Sequence, residues 1–130
     1  MSQIIETKKA FITPLSFNII LLEFKPDVLF ELEDAIEVNT KVYELINGQP
    51  FYSLIDISNR YGTITAEAQK HFAEDPLIKN IRLAEAFVVT NLPMRILARF
   101  YKSFFKPSNP IKFFKNKKMA IEWLKHLKNN

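Results

Sequence analysis

The chain has 130 residues, of which 48% are apolar and 25% are charged, and it contains no cysteine. This length and composition predict one globular domain, residues 1–130, with a continuous hydrophobic core. The lack of cysteine excludes disulfides, thiolate catalysis and cysteine-ligated metal sites. The net charge of +4 conceals an asymmetry, because residues 1–94 carry a net charge of −5 and residues 95–130 one of +9.

Hydrophobic periodicity predicts nine elements. In chain order these are strands at 3–12 and 17–24, a helix at 31–47, a strand at 51–57, a helix at 66–74, a strand at 81–90, a helix at 92–105, a strand at 111–114 and a helix at 117–127. The order β-β-α-β-α-β-α-β-α predicts an α/β layered domain. It implies a mostly parallel sheet with right-handed crossovers, one antiparallel edge strand and helices packed on it.

Two predicted elements carry polar residues among apolar ones. The apolar stripe of the 31–47 helix includes Asn39, which we interpret as a buried amide with a hydrogen-bond partner. The other members of that stripe are Leu32, Ala35, Ile36, Val42, Tyr43 and Ile46. Glu85 interrupts the strand 81–90, and we expect it either at an exposed strand end or paired with Arg82.

The loop that follows the 51–57 strand is the first candidate site. Ligands and partners of open α/β sheets usually bind at the carboxyl ends of the strands. We therefore predict a partner-binding loop made of Asp56, Ser58, Asn59, Arg60 and Tyr61. Ser58 is a candidate phosphoacceptor, because a phosphate there would lie near a helix N-terminus. The alternative is a polar loop whose side chains only cap local backbone groups.

A basic stripe on the 92–105 helix is the second candidate. Arg95, Arg99, Lys102 and Lys106 follow one another at helical spacing, and aromatic residues lie between them. Helical phasing places most of these aromatics on the core side, so the cations form a solvated basic face. Two alternatives stay open, namely contact with anionic lipid and contact with nucleic acid or an acidic partner.

Motifs of enzymes are missing from the sequence. Two glycines cannot form a Gly-rich phosphate loop, and no Gly-x-Ser-x-Gly elbow is present. The two histidines, His71 and His126, and the carboxylates show no metal-ligand spacing. We therefore expect no catalytic residue, no cofactor and no metal. The N-terminus lacks a signal peptide and no apolar run can span a bilayer, which predicts a cytoplasmic protein.

The element order and the end of the 51–57 strand resemble the STAS domain of anti-sigma-factor antagonists and sulfate-transporter tails. In those proteins the strand ends in Asp-Ser-Ser-Gly, and the second serine is phosphorylated. The matching positions here are Asp56, Ile57, Ser58 and Asn59, so that the aspartate and the second serine are shared. Over residues 17–127 the chain also resembles small uncharacterised bacterial STAS-like proteins, through residues 54–56, 59–62, 65–68, 75–78 and 82–86.

Three functional hypotheses follow. The resemblance implies a non-catalytic STAS-like regulatory module that binds a protein partner or a second copy of itself. Related STAS and Sec14-like folds include lipid-binding members, which implies a carrier or sensor of a small acyl or lipid ligand as the alternative. Its pocket would lie between the 92–105 helix and the sheet. Binding of nucleic acid or an anionic surface through the basic C-terminal third is the second alternative.

Overall fold

Residues 3–58, 62–90 and 109–128 are described in the structure, which is a computed structural model. The predicted helix at 92–105 lies outside these residues. The described strands are β1 Ile5–Glu6, β2 Ala10–Pro14, β3 Ile19–Phe24, β4 Leu29–Phe30, β5 Phe51–Asp56, β6 Thr63–Ile64, β7 Arg82–Val88 and β8 Ile111–Phe114. The described helices are α1 Leu32–Ile46, α2 Ala66–Glu74, α3 Pro76–Lys79 and α4 Lys117–Lys128.

Six of these strands form one sheet in the order β1-β2-β3-β5-β7-β8. Strands β3, β5, β7 and β8 are parallel to one another, whereas β1 and β2 are antiparallel at one edge. The predicted α/β architecture, with a mostly parallel sheet and an antiparallel edge, is therefore confirmed. That edge contains two strands rather than one.

The extra strand arises from a turn within the segment predicted as one strand, 3–12. The Thr7 hydroxyl and backbone N–H both donate to the carbonyl of Ala10, at 3.1 and 2.8 Å, and the Ala10 N–H donates back to the Thr7 hydroxyl at 3.0 Å. These bonds reverse the chain between β1 and β2. A threonine side chain that bonds nearby backbone groups competes with an extended ladder, which alternation alone does not reveal.

The sheet is covered on both faces by helices. Helices α1, α2 and α3 pack on one face, where β3 contributes Ile20 and Leu22 and β5 contributes Ile55. Helix α4 packs on the other face through Ala120 and Leu124. The near-continuous apolar runs in β3, β5 and β7 are explained by this arrangement, because both sides of each strand are buried.

Helix α1 is rotated relative to the predicted stripe. Val38 is buried in place of Leu32, Ile36 and Tyr43, which are 41%, 45% and 38% exposed. Asn39 is buried as predicted. Helical periodicity therefore predicts where the helix lies in the sequence, but the sheet on which the helix packs determines which of its residues are buried.

The start of α1 is fixed by Asp34. Its carboxylate accepts a hydrogen bond from the Glu31 N–H at 2.8 Å and lies 2.9 Å from the Lys9 ammonium of the β1–β2 connection. The hydrogen bond between Lys9 and the Asp34 carboxylate is the main reason that the pKa of Lys9 lies above its ordinary value. Burial of Lys9 opposes this shift, whereas Coulomb attraction to Asp34, Glu31 and Glu33 adds to it. The ion pair attaches the edge hairpin to the helix.

A second, two-stranded sheet pairs β4 with β6 in parallel. The Thr63 N–H donates to the Val28 carbonyl at 3.0 Å. A Cβ atom on Gly62 would lie 2.4 Å from that same carbonyl oxygen, so the close approach of the two chains requires glycine here. This pair holds the chain after the predicted partner-binding loop against the segment that leads into α1.

Candidate functional site

The carboxyl edge of the parallel sheet carries a small charged cluster. Glu23 in β3 and Asp56 at the end of β5 are register partners on neighbouring strands. Lys117, the first residue of α4, places its ammonium 3.4 Å from a Glu23 carboxylate oxygen and 3.7 Å from Asp56 Oδ2. We call Glu23, Asp56, Ser58 and Lys117 the carboxyl-edge cluster.

Asp56 organises this cluster. Its carboxylate is largely buried, and Oδ1 accepts hydrogen bonds from the Ser58 N–H at 2.9 Å and from the Ser58 hydroxyl at 2.5 Å. Oδ2 faces Lys117. Both carboxylate oxygens are therefore engaged, and the half-buried Ser58 is held in one orientation at the end of the strand. This Asx-type geometry starts the turn away from the sheet.

The structure brings together two of the predicted site residues, Asp56 and Ser58. The other members of the predicted loop, Asn59, Arg60 and Tyr61, lie outside the described residues. The same holds for the predicted basic surface, Arg95, Arg99, Lys102 and Lys106.

Sequence reasoning missed two members of the cluster, Glu23 and Lys117. Glu23 is the one acidic residue of the apolar strand β3, which the sequence shows. That it lies beside Asp56 depends on which strand pairs with β3, and the sequence does not show this. Lys117 is 94 positions away from Glu23 along the chain, and no local pattern connects them.

Helix α2 begins directly after the loop, as predicted. The Thr65 hydroxyl accepts a hydrogen bond from the Ala68 N–H at 3.1 Å, which makes Thr65 the N-cap. Glu67 lies in the first turn, where a negative charge interacts favourably with the helix dipole. The Thr65 cap and the β4–β6 pair together fix the position of the chain between Thr63 and the start of α2.

This arrangement can be compared with known proteins. The model of a domain of unknown function, DUF7793, matches residues 14–128. The chain belongs to this family. No curated protein is significantly similar to the sequence.

A solved structure shows the fold to which the DUF7793 domain belongs. The chain is similar to an uncharacterized protein of the DUF3478 family with a SpoIIAA-like fold, from Shewanella loihica PV-4. The TM-score is 0.60 at 18% identity, over 95% of this chain and 92% of that protein. The SpoIIAA-like fold is the STAS-like fold, so the predicted resemblance is confirmed at the level of the fold.

Glu85 lies inside the DUF7793 domain, only 3% exposed, and not at an exposed strand end. The predicted pairing is confirmed, because Arg82 Nη1 lies 3.5 Å from Glu85 Oε1 and also donates to the Phe72 carbonyl at 2.7 Å. Glu85 borders a cavity of about 40 Å³ between the sheet and α2. Such a volume has room for a few water molecules and not for an acyl chain.

Asn39, also buried, donates to Asp75 Oδ2 at 3.1 Å and so links α1 to the residue between α2 and α3. His71 Nε2 lies 3.1 Å from the same oxygen, without the geometry of a hydrogen bond. The predicted end of the 66–74 helix is confirmed, and Asp75, the next residue, caps α3 by accepting from the Leu77 N–H. These contacts explain Asn39 as a structural amide.

Two broader features concern the described residues alone. Among residues 3–58, 62–90 and 109–128, no group of three His, Asp or Glu side chains is placed to hold a metal ion. Within the same residues, every helix is too short or too polar to cross a membrane. The acyl-ligand pocket predicted beside the 92–105 helix falls outside this part of the chain.

Proposed function

We propose that residues 1–130 form one STAS-like regulatory domain without catalytic activity, located in the cytoplasm. It binds a protein partner or a second copy of itself through the carboxyl edge of the sheet. The contact surface comprises the carboxyl-edge cluster, the loop residues Asn59, Arg60 and Tyr61, and the start of α2.

The observation that carries this proposal is the engagement of Asp56. Its Oδ1 accepts two hydrogen bonds from Ser58 and its Oδ2 faces Lys117, so that Asp56 fixes the orientation of Ser58 at the end of β5. The chain is thus anchored on both sides of positions 59–61, by the bonds between Asp56 and Ser58 before them and by the Thr65 cap after them. Anchored ends reduce the conformational entropy that a connecting segment loses when a partner binds.

The same geometry supports Ser58 as the proposed point at which binding is regulated. A phosphate on the Ser58 hydroxyl would replace the proton donated to Asp56 and add a charge of about −2 beside two carboxylates. Repulsion from Asp56 and Glu23 would move the phosphorylated Ser58 away from Asp56, while Lys117 would be drawn toward the phosphate. The modified and unmodified forms would therefore present different surfaces to a partner.

Native mass spectrometry of the protein purified from its own host would identify a bound partner or a second copy. Recovery of that same species is then measured with Ser58→Asp and Arg60→Ala. We expect each variant to lower recovery by about fivefold or more, which corresponds to about 1 kcal/mol of binding free energy. Ser58→Ala keeps the backbone bond to Asp56 and should retain most of the binding.

Thr40→Asp is the matched control, because it adds the same charge to an exposed position on α1, away from the sheet edge. It should bind like the wild type. Circular dichroism establishes that every variant is folded. The proposal fails if Ser58→Asp and Arg60→Ala both recover the partner at the wild-type level. The proposal is also contradicted if native mass spectrometry shows only the monomer, with neither a bound partner protein nor a second copy.

Contact of Arg95, Arg99, Lys102 and Lys106 with nucleic acid stays a prediction. Such binding would weaken steeply as salt is raised, because each phosphate contact releases counterions. Titration with labelled single- and double-stranded DNA and RNA at low salt tests it, and no binding to any of them would remove the idea.

A further inference from the structure

An open groove of about 540 Å³ lies at the amino edge of the parallel sheet, opposite the carboxyl-edge cluster. Four segments form it: the β2–β3 connection, the end of α1 with the loop that follows, the starts of β3, β5 and β7, and the last turn of α4. The lining residues are Pro14, Leu15, Asn18, Ile20, Leu45, Ile46, Gln49, Pro50, Tyr52, Leu83 and Lys128. Its volume lies in the range of small-molecule sites, about 300–1,000 Å³.

The chemistry of this lining is selective. Most of the lining residues are apolar, with the side-chain amides of Asn18 and Gln49 among them, although polar atoms supply a large share of the exposed lining. Leu83 lies at the start of β7, before the part that pairs with β8, and is 40% exposed, so apolar surface is open to the groove. Among the described lining residues there is no carboxylate, and Lys128 is the one charged side chain. An apolar ligand with a single negative charge is complementary to such a surface.

The backbone beside the groove is also strained, at Phe17, which precedes the lining residue Asn18. Phe17 and Asn18, next to each other in the β2–β3 connection, have φ angles of 66° and 59°. A left-handed conformation is unfavourable for a bulky phenylalanine, and such residues cluster at binding sites. The connection is held in place from α4, where the Lys125 ammonium lies 4.7 Å from the centroid of the Phe17 ring.

We propose that this amino-edge groove binds a small apolar molecule that bears one carboxylate. The apolar body lies against Leu83 and Tyr52, and the carboxylate lies near the Lys128 ammonium. The C-terminal ends of α1 and α4 lie at the same edge, and their dipoles partly offset the attraction for an anion. Lys128 is therefore expected to add a modest preference to binding that is mostly apolar. This site is independent of the proposed partner surface.

Octanoate and its neutral counterpart octanamide are suitable probes, used with the full chain below micelle-forming concentrations. Backbone amide shifts in ¹H–¹⁵N NMR spectra report both the affinity and the location of binding. We expect shifts concentrated at the groove residues and an affinity for octanoate about two- to fivefold higher than for octanamide, the effect of one exposed ion pair. Lys128→Gln should abolish that preference.

Lys118→Gln is the matched control, since Lys118 is an exposed lysine in the first turn of the same helix and does not line the groove. It should keep the preference for octanoate. Leu83→Glu, which places a carboxylate in the groove, should weaken octanoate binding by tenfold or more while the spectrum stays dispersed. The proposal is overturned if octanoate causes no shifts, if the shifts lie outside the groove, or if Lys128→Gln still prefers octanoate as the wild type does.

Discussion

Replacing Gly62 by alanine would place a methyl group against the backbone that precedes β4. The new Cβ would lie 2.4 Å from the Val28 carbonyl oxygen and 3.0 Å from the Val28 nitrogen, far closer than carbon atoms approach such groups. Backbone atoms cannot rotate away as a flexible side chain can. The chain must therefore shift at Gly62, at Val28 or at both.

The magnitude follows from two contributions. Forcing an extra carbon into a packed position costs about 1–3 kcal/mol. A shift of Val28 also strains the hydrogen bond that its carbonyl accepts from the Thr63 N–H, which is worth about 1 kcal/mol. We expect the free energy of unfolding to fall by about 2–3 kcal/mol. For a domain of this size about 1 kcal/mol corresponds to about 4 °C, so Tm should fall by about 8–12 °C.

Differential scanning calorimetry measures this change, and Gly48→Ala is the comparison. Gly48 has φ of +70°, but the atoms nearest a Cβ there belong to the Tyr43 side chain, which is 38% exposed and can move. That variant should lose about 1 kcal/mol, from the left-handed backbone alone. A Tm for Gly62→Ala within 2 °C of the wild type, or a larger fall for Gly48→Ala, would refute the steric argument.

Three further predictions concern the buried polar contacts. Because the pKa of Lys9 is raised in the folded state, the stability that this group contributes is complete below its ordinary pKa of about 10.4 and is lost as the pH rises through the folded value. Urea unfolding between pH 9 and 12 should show this loss in the wild type and not in Asp34→Asn; the same pH dependence in both would contradict the assignment. Asn39→Ala removes a buried hydrogen-bond donor and should lower the free energy of unfolding by about 1–3 kcal/mol in urea titrations, and a change below 0.5 kcal/mol would speak against a structural amide. Arg82→Met removes a guanidinium from a buried ion pair and should cost about 3 kcal/mol, part of which Arg82→Met/Glu85→Leu should restore; a double variant less stable than the single one would contradict this.

Several elements were predictable from the sequence because their burial pattern is local. Helix α2 spans Ala66–Glu74 as predicted, α4 and β5 differ from the predicted bounds by one residue at one end, and α1 by one residue at each end. A helix that packs on one side repeats its apolar residues every three to four positions, and a strand buried on both faces is continuously apolar. Turn and cap residues such as Asn47 and Thr65 then mark the ends.

The two-residue strands β4 and β6 were not predictable, because two residues carry no periodicity, and β1 was predicted only as part of the single strand 3–12. The orientation of α1 was predicted incorrectly for a related reason. Several of its apolar residues lie close together in angle around the helix, and only packing against the sheet buries Val38 and leaves Ile36 exposed.

Amino-acid composition, periodicity and turn chemistry thus determined the α/β class, the mostly parallel sheet and the position of Ser58 at a strand end. Only the tertiary structure decided what surrounds Ser58, since α4 packs on one face of the sheet and so places Lys117, its first residue, beside Glu23 and Asp56. The same is true of Gly62, whose need for glycine lies in the backbone of Val28, and of the groove at the amino edge. The physical reason is common to all three. The burial of a helix or strand is visible in the pattern of apolar residues along the sequence, whereas a site consists of residues that only the topology of the chain brings together.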